Sequence, residues 1–117
     1  DSLLWTFNLQ GVHFPSSKQI NQSTFYASTA ISFIHLQNVI QLADGAFSYC
    51  SSLKAVVMEE VNVIPECCFS ICHNLQTIRF DKVNDIKADA FEGCFSLNLA
   101  ILPSLEDCDE GCIETNQ

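Results

Sequence analysis

The sequence predicts a β-rich solenoid, in which parallel strands stack in a right-handed coil and each unit adds a short turn or helical segment. Three observations predict this fold class: a motif at a fixed step, apolar columns at the same step, and a turn-rich stretch in each unit. The motif F-x-x-C-x-x-L begins at Phe47, Phe69 and Phe91, whose sequence numbers rise by a constant 22, which we call the repeat step. Steps of about 20 to 29 residues are typical of solenoids built from short units.

Each unit reads approximately V-x-x-I-x-x-x-A-F-x-x-C-x-x-L-x-x-I-x-L. The opening V-x-x-I predicts a short extended segment, and the turn-rich residues 43–46 and 87–90 bend the chain before the phenylalanine. In the closing I-x-L the apolar side chains alternate, which indicates a strand with one buried face. One unit cannot bury its own apolar side, so neighbouring units must stack, with their strands about 4.8 Å apart.

The repeat step extends towards both ends of the chain, so we predict a single domain over residues 1–117 with about five repeats. A chain of 117 residues has room for one hydrophobic core. The predicted repeats are a partial unit 1–16, full units 17–38, 39–60, 61–82 and 83–104, and a partial unit 105–117.

Charge and hydropathy limit the classes of partner. Fourteen acidic against five basic residues give a net charge of −9, which repels nucleic-acid phosphates and anionic membranes. The longest apolar runs, 55–58 and 99–102, are far shorter than the roughly 18 residues of a membrane span. We therefore expect no nucleic-acid binding and no membrane insertion, and a basic or neutral protein as the partner.

The seven cysteines suggest a disulfide framework, but the repeat favours another interpretation. Cys50, Cys72 and Cys94 occupy one column, whose other members are small and mildly polar, so we expect buried thiols that meet backbone atoms. Cys67 is the one that we expect to be exposed. Because all seven are predicted to be unpaired, the cysteines leave a cytoplasmic location open.

Two chemical alternatives use the same cysteines. Cys68-x-x-x-Cys72 with His73, and Cys108-x-x-x-Cys112, have spacings typical of zinc ligands, but stacked interior columns would have to separate before four ligands converged. Cys67 and Cys72 are also candidate nucleophiles with His73 as the base, yet Cys72 and His73 are adjacent on an extended chain and point to opposite sides, and no third group is evident to orient the imidazole. We therefore predict no metal, no cofactor and no catalytic residues, so that the protein is not an enzyme.

The outward positions of the strands form the candidate partner-binding site, which we call the outer strand face. Its apolar members, above all Phe33, Val57, Leu99 and Ile101, are many for a surface in solvent, and such clusters tend to mark contacts. The outer strand face comprises Gly11, His13, Phe33, His35, Ala55, Val57, Thr77, Arg79, Leu99 and Ile101.

The motif A-F-x-x-C-x-x-L-x-x-I-x-L followed by V-x-x-I resembles the BspA-like leucine-rich repeats, most closely at residues 46–53 and 90–97. The resemblance covers almost the whole chain. It implies a non-enzymatic module that binds other proteins at a cell surface or after secretion. In that setting Asn21, which begins an Asn-Gln-Ser acceptor sequence, would be open to glycosylation.

Two functions follow from these observations. The first is a recognition module for adhesion or surface binding, which presents the outer strand face to another protein. The second is a structural or assembly component stacked within a larger complex, with self-association through exposed solenoid ends.

Overall fold

The computed structural model describes residues 19–21 and 25–113, and within them nine short strands. In chain order the strands are β1 Gln19–Ile20, β2 Phe33–Leu36, β3 Gln41–Leu42, β4 Ala55–Met58, β5 Val63–Ile64, β6 Thr77–Phe80, β7 Asp85–Ile86, β8 Leu99–Ile101 and β9 Asp107–Cys108. Short turns connect the strands. Longer and shorter strands alternate along the chain, and each unit contributes one of each. Gly11 and His13 of the outer strand face lie outside the described residues.

The longer strands form one parallel sheet in the order β2-β4-β6-β8. Their pairing has no slip: Ile34 is the partner of Val56, Val56 of Ile78, and Ile78 of Ala100, each one repeat step further along the chain. Residues that match by position in the repeat are therefore neighbours in space. This register confirms the predicted stack of parallel strands.

The V-x-x-I segments are also extended, as predicted, and supply the shorter strands. β1 pairs with β3, and β5, β7 and β9 form a second small sheet, all parallel and with partners one repeat step apart. The two small sheets are separate, because no ladder within the described residues joins β3 to β5.

Hydrogen bonds between the turns of the coil run in both directions. The N–H of Gln76 at the start of a strand donates to the carbonyl of Lys54 in the preceding turn, at 2.8 Å. At the phenylalanine the direction reverses, since the N–H of Phe47 donates to Cys68 O in the following turn, also at 2.8 Å. Each unit is thus fastened to the next by donors from both units.

The core is a column of stacked phenylalanine rings surrounded by aliphatic columns. Ring centroids lie 5.1 Å apart from Phe25 to Phe47 and from Phe47 to Phe69, and 5.2 Å apart from Phe69 to Phe91. The interplanar angles are at most 12°. Phe80 packs on the side of this column, 6.1 Å from Phe69. Such a stack requires an aromatic ring at the same position of each unit, which the repeat provides.

Two positions in every unit have a left-handed backbone, and both recur at the repeat step. They are Gly45, Cys67, Asp89 and Gly111 in the first column, and Ala27, Tyr49, Ile71 and Gly93 in the second. Glycine adopts this conformation without steric cost, whereas for a β-branched residue such as Ile71, with φ of 61°, it is rare. The Ile71 N–H donates to Glu92 O at 2.6 Å, which holds this strained residue in place.

The buried cysteines behave as the repeat predicts. The thiols of Cys50, Cys72 and Cys94 donate to the carbonyls of Phe25, Phe47 and Phe69, at 3.2, 3.1 and 3.2 Å. Each bond therefore joins one unit to the turn of the unit before it. The hydrogen bond with Cys50 and the burial of the thiol both raise the pKa of Cys72. The Cys72 thiol therefore stays protonated and serves as a donor.

The prediction that all seven cysteines are unpaired is wrong for two of them. Cys108 and Cys112 form a disulfide, with Cα atoms 5.8 Å apart. The turn between them, closed by a 2.9 Å hydrogen bond from Cys112 N to Asp109 O, brings the two side chains together. In the preceding unit the same positions are Ile86 and Ala90, which are fully buried. The disulfide thus replaces an apolar contact within one unit.

Thiol labelling should distinguish the cysteines. Five are free, and of these only Cys67 is exposed, as predicted. Burial, and then the charges of Asp89 and Glu92, raise the pKa of Cys67, so less of the reactive thiolate is present at neutral pH. We expect slow labelling of one thiol per native chain by iodoacetamide, faster at higher pH. Mass spectrometry should show no label on the Cys67→Ser variant. A second label on the native protein would contradict the burial of the other four free thiols.

Candidate functional site

The outer strand face is assembled by the sheet register. Phe33, Ala55, Thr77 and Leu99 are paired along one row across the four strands, and His35, Val57, Arg79 and Ile101 along the next. Side chains two positions apart on a strand lie on the same face of the sheet. The eight described members of the outer strand face therefore lie on one side of the sheet, which is what the repeat predicts.

Two members are not available at that surface, contrary to expectation. Phe33 and Val57 are only 2% and 4% exposed. Val57 lies between His35 and Arg79 on the neighbouring strands, and these longer side chains shield the short valine. Phe33 contacts the ring of His35, with centroids 6.5 Å apart. The sequence pattern gives the direction and the neighbours of each side chain, but not how far those neighbours cover it.

Contacts with carboxylates hold His35 and Arg79 of the outer strand face. His35 Nε2 lies 2.8 Å from Glu59 Oε2, and Arg79 Nε donates to Asp81 Oδ1 at 3.2 Å. Both carboxylates lie just beyond the ends of their strands. The Arg79 side chain is 42% exposed, so its remaining guanidinium donors are accessible to solvent. This side of the face can accept a partner's carboxylate or carbonyl oxygen.

The apolar part of the outer strand face lies on β8. Leu99 and Ile101 are 50% and 40% exposed. Ala100 is exposed as well, although its partner Ile78 is fully buried. Among the described residues no strand pairs with the far edge of β8. Exposed apolar side chains therefore lie beside Arg79 at one end of the sheet.

Aromatic pairs on the turn side of the coil were not predicted. The rings of Tyr26 and Tyr49 meet edge to face at 5.7 Å, and His73 stacks on Phe95 at 5.4 Å. His73 and Phe95 are one repeat step apart, so the repeat carried the signal for their contact. His73 is thus packed against Phe95, and the Cys72 thiol donates to Phe47 O, so the two groups have different partners.

The described residues were also compared with the requirements of a metal site and of a membrane span. Within residues 19–21 and 25–113, no three His, Cys, Asp or Glu side chains are grouped closely enough to hold a metal ion. The sulfur atoms of Cys108 and Cys112, considered above as zinc ligands, are bonded to each other. No helix in this part of the chain has the length and apolarity needed to cross a membrane.

Comparison with protein-family models agrees with the geometry. The model of the BspA type leucine-rich repeat region matches residues 2–117, in six copies. Comparisons with curated proteins and with solved structures found no match. Leucine-rich repeats are generally protein-interaction modules and typically non-enzymatic scaffolds, and those of the BspA type are associated with surface proteins. Because the matched residues span nearly the whole sequence and the strands stack at the repeat step, this chain belongs to the BspA-type leucine-rich repeat family.

Proposed function

We propose that this chain is a non-enzymatic recognition module, without a cofactor, which binds another protein at a cell surface or after secretion. The contact surface is the exposed part of the outer strand face, on β6 and β8. The observation that carries the proposal is the exposure of Leu99 and Ile101 beside Arg79. Apolar side chains next to an arginine are the combination from which protein interfaces are commonly built.

The charge of the chain favours a basic or neutral protein as the partner. Fourteen acidic residues against five basic ones leave a net charge of −9, which attracts cationic surfaces and accelerates their association at low salt. Leu99 and Ile101 supply apolar area, and Arg79 supplies donors. Burial of the two apolar side chains contributes affinity, whereas the charges select the partner.

The binding surface is tested by a pair of aspartate substitutions. The double variant Leu99→Asp/Ile101→Asp should lose binding to purified extracellular-matrix proteins on a biosensor, because it places charge on the apolar contact. Its melting temperature should change little, since both side chains are exposed. Phe95→Asp, an exposed apolar site on the turn side, is the matched control and should retain binding. Equal binding by the double variant and the wild type would refute the surface.

A second candidate function is assembly within a larger complex. The exposure of Leu99, Ala100 and Ile101 favours it, because an apolar strand edge is a template for pairing with another chain. Under this alternative the isolated protein should self-associate as its concentration rises, and the double aspartate variant should be monomeric. Sedimentation velocity distinguishes the two, since a wild type that stays monomeric at high concentration argues against assembly through this edge.

A further inference from the structure

The ladder of short strands is interrupted at a proline. Between β5 and β7, the carbonyls of Asn62 and Ile64 accept the N–H groups of Asn84 and Lys87, each at 2.9 Å. Pro65 occupies the position of Lys87 one unit earlier, and proline has no N–H to donate. The counterpart of the bond from Lys87 to Ile64 therefore cannot form between β3 and β5, which is where the two small sheets separate.

The interruption leaves two carbonyl groups without their ladder partners. Ile40 O and Leu42 O correspond to the carbonyls of Asn62 and Ile64, but no backbone N–H among the described residues donates to either. Two positions along a strand separate them, a distance of roughly 6.5 to 7 Å. Both carbonyls face the gap, because the equivalent carbonyls face the following unit.

A groove with a volume of about 300 Å³ lies at this gap. It is lined by Ile40, Gln41, Leu42, Asn62, Val63 and Pro65. Ile40 and Val63 are 52% and 40% exposed, so both present apolar surface to solvent. The groove thus combines apolar walls with carbonyl acceptors, and it is separate from the outer strand face.

Acidic side chains flank the groove. Asp44 and Glu66 occupy the same position of successive units, two residues after Leu42 and one after Pro65 of the lining, and both are exposed. Neither carboxylate belongs to the ion pairs His35–Glu59, Arg79–Asp81, Lys82–Glu60 and Lys87–Asp85 of the described region. Two like charges at matching positions of neighbouring turns repel each other unless a cation lies between them.

We propose that this groove binds an arginine side chain of a basic partner protein. The aliphatic stem lies between Ile40 and Val63, and the guanidinium donates to Leu42 O and to the carboxylates of Asp44 and Glu66. The inference deepens the proposed function, on which it rests, because it specifies the chemistry of the partner and a second point of contact.

An arginine side chain fits apolar walls, carbonyl acceptors and nearby carboxylates better than other side chains do. Its stem covers apolar surface while its charged end remains at the acidic rim. The guanidinium has five N–H donors in a planar fork and can serve a carbonyl and a carboxylate at once, whereas lysine presents a compact ammonium. A neutral apolar side chain would fill the groove but leave the carbonyls and the carboxylates without a donor.

The direct test is titration of ¹⁵N-labelled protein with N-acetyl-arginine amide. We expect saturable shifts of amide signals in residues 40–44 and 62–66, with the millimolar dissociation constant usual for a single side chain. N-acetyl-citrulline amide has nearly the same shape without the charge, and should produce shifts at least about five-fold weaker, as expected for the loss of a charged hydrogen bond. Equal responses to the two compounds would overturn the proposal.

The proline variant tests the origin of the groove. Pro65→Ala supplies the missing N–H, and alanine already occupies this position in the preceding unit, at Ala43. It should close the ladder and weaken arginine binding at least about five-fold. Pro103→Ala, at an exposed proline beyond β8, is the control and should bind normally. Unchanged binding by Pro65→Ala would show that the interrupted ladder is not the site.

The acidic rim is tested in the same titration. Asp44→Asn/Glu66→Gln should weaken binding, whereas Glu110→Gln, at the same repeat position two units further on, should not. Shifts confined to residues 106–110 would indicate only general attraction to acidic residues and would overturn the assignment. If a partner protein binds Pro65→Ala as tightly as wild type but not the Leu99→Asp/Ile101→Asp variant, the proposed function stands and the groove proposal fails.

Discussion

Replacing Phe69 by alanine is expected to lower the free energy of unfolding by about 3 to 5 kcal/mol. The ring is fully buried and is stacked between Phe47 and Phe91, with Phe80 against its side. Its removal leaves a cavity that the backbone cannot close, because hydrogen bonds to both neighbouring units fix the separation of the turns. Urea denaturation followed by circular dichroism gives the free energy directly.

The matched control for Phe69 is Phe95→Ala. Phe95 lies in the following unit on the turn side and is 63% exposed. Its truncation should change the free energy of unfolding by no more than about 0.5 kcal/mol. If Phe69→Ala lowered the free energy of unfolding no more than Phe95→Ala, the aromatic column would not be what stabilises the coil.

Phe33→Ala should be the other strongly destabilising change, with a loss of about 3 kcal/mol. The repeat places Phe33 on the outer strand face, where truncation of an exposed ring would cost little. The structure buries it to 2% exposure beside His35, so its removal should expose apolar surface and loosen the packing around that ring. Thermal and urea unfolding of the variant measure the effect.

Leu99→Ala is the natural comparison, because Leu99 occupies the same row of the sheet and is 50% exposed. We expect it to lose less than about 1 kcal/mol. If Phe33→Ala and Leu99→Ala lowered the free energy of unfolding equally, the two ends of the row would be equally buried, which would contradict their exposures of 2% and 50%.

The repeat step was sufficient to predict much of the fold. Because a parallel stack pairs equivalent residues, the columns predicted the register of Ile34, Val56 and Ile78 directly. The columns also predicted the thiol hydrogen bonds, since a small polar side chain at a fixed position meets the same backbone group in each unit. Regular spacing thus determines which residues become neighbours.

Some features could not be predicted from the repeat step, because they arise where one unit differs from the average unit. The burial of Val57 depends on how far His35 and Arg79 beside it cover the sheet, and the Cys108–Cys112 disulfide depends on cysteine at both of two positions that are Ile86 and Ala90 in the preceding unit. The groove at Pro65 depends on a single missing N–H. The sequence shows Pro65, but the effect of this proline can be recognised only when Lys87, at the same position of the next unit, is known to donate its N–H to the preceding unit.

The opposed directions of the hydrogen bonds between units have a mechanical consequence. The N–H groups at the strand ends, such as those of Thr77 and Asp81, donate to the preceding unit, and those of the phenylalanine turns donate to the following one. No unit can therefore slide past its neighbour without breaking both sets at once. A force applied along the axis would therefore release whole units in succession. The molecule would lengthen by equal increments of roughly 70 to 80 Å, the contour length of one extended unit.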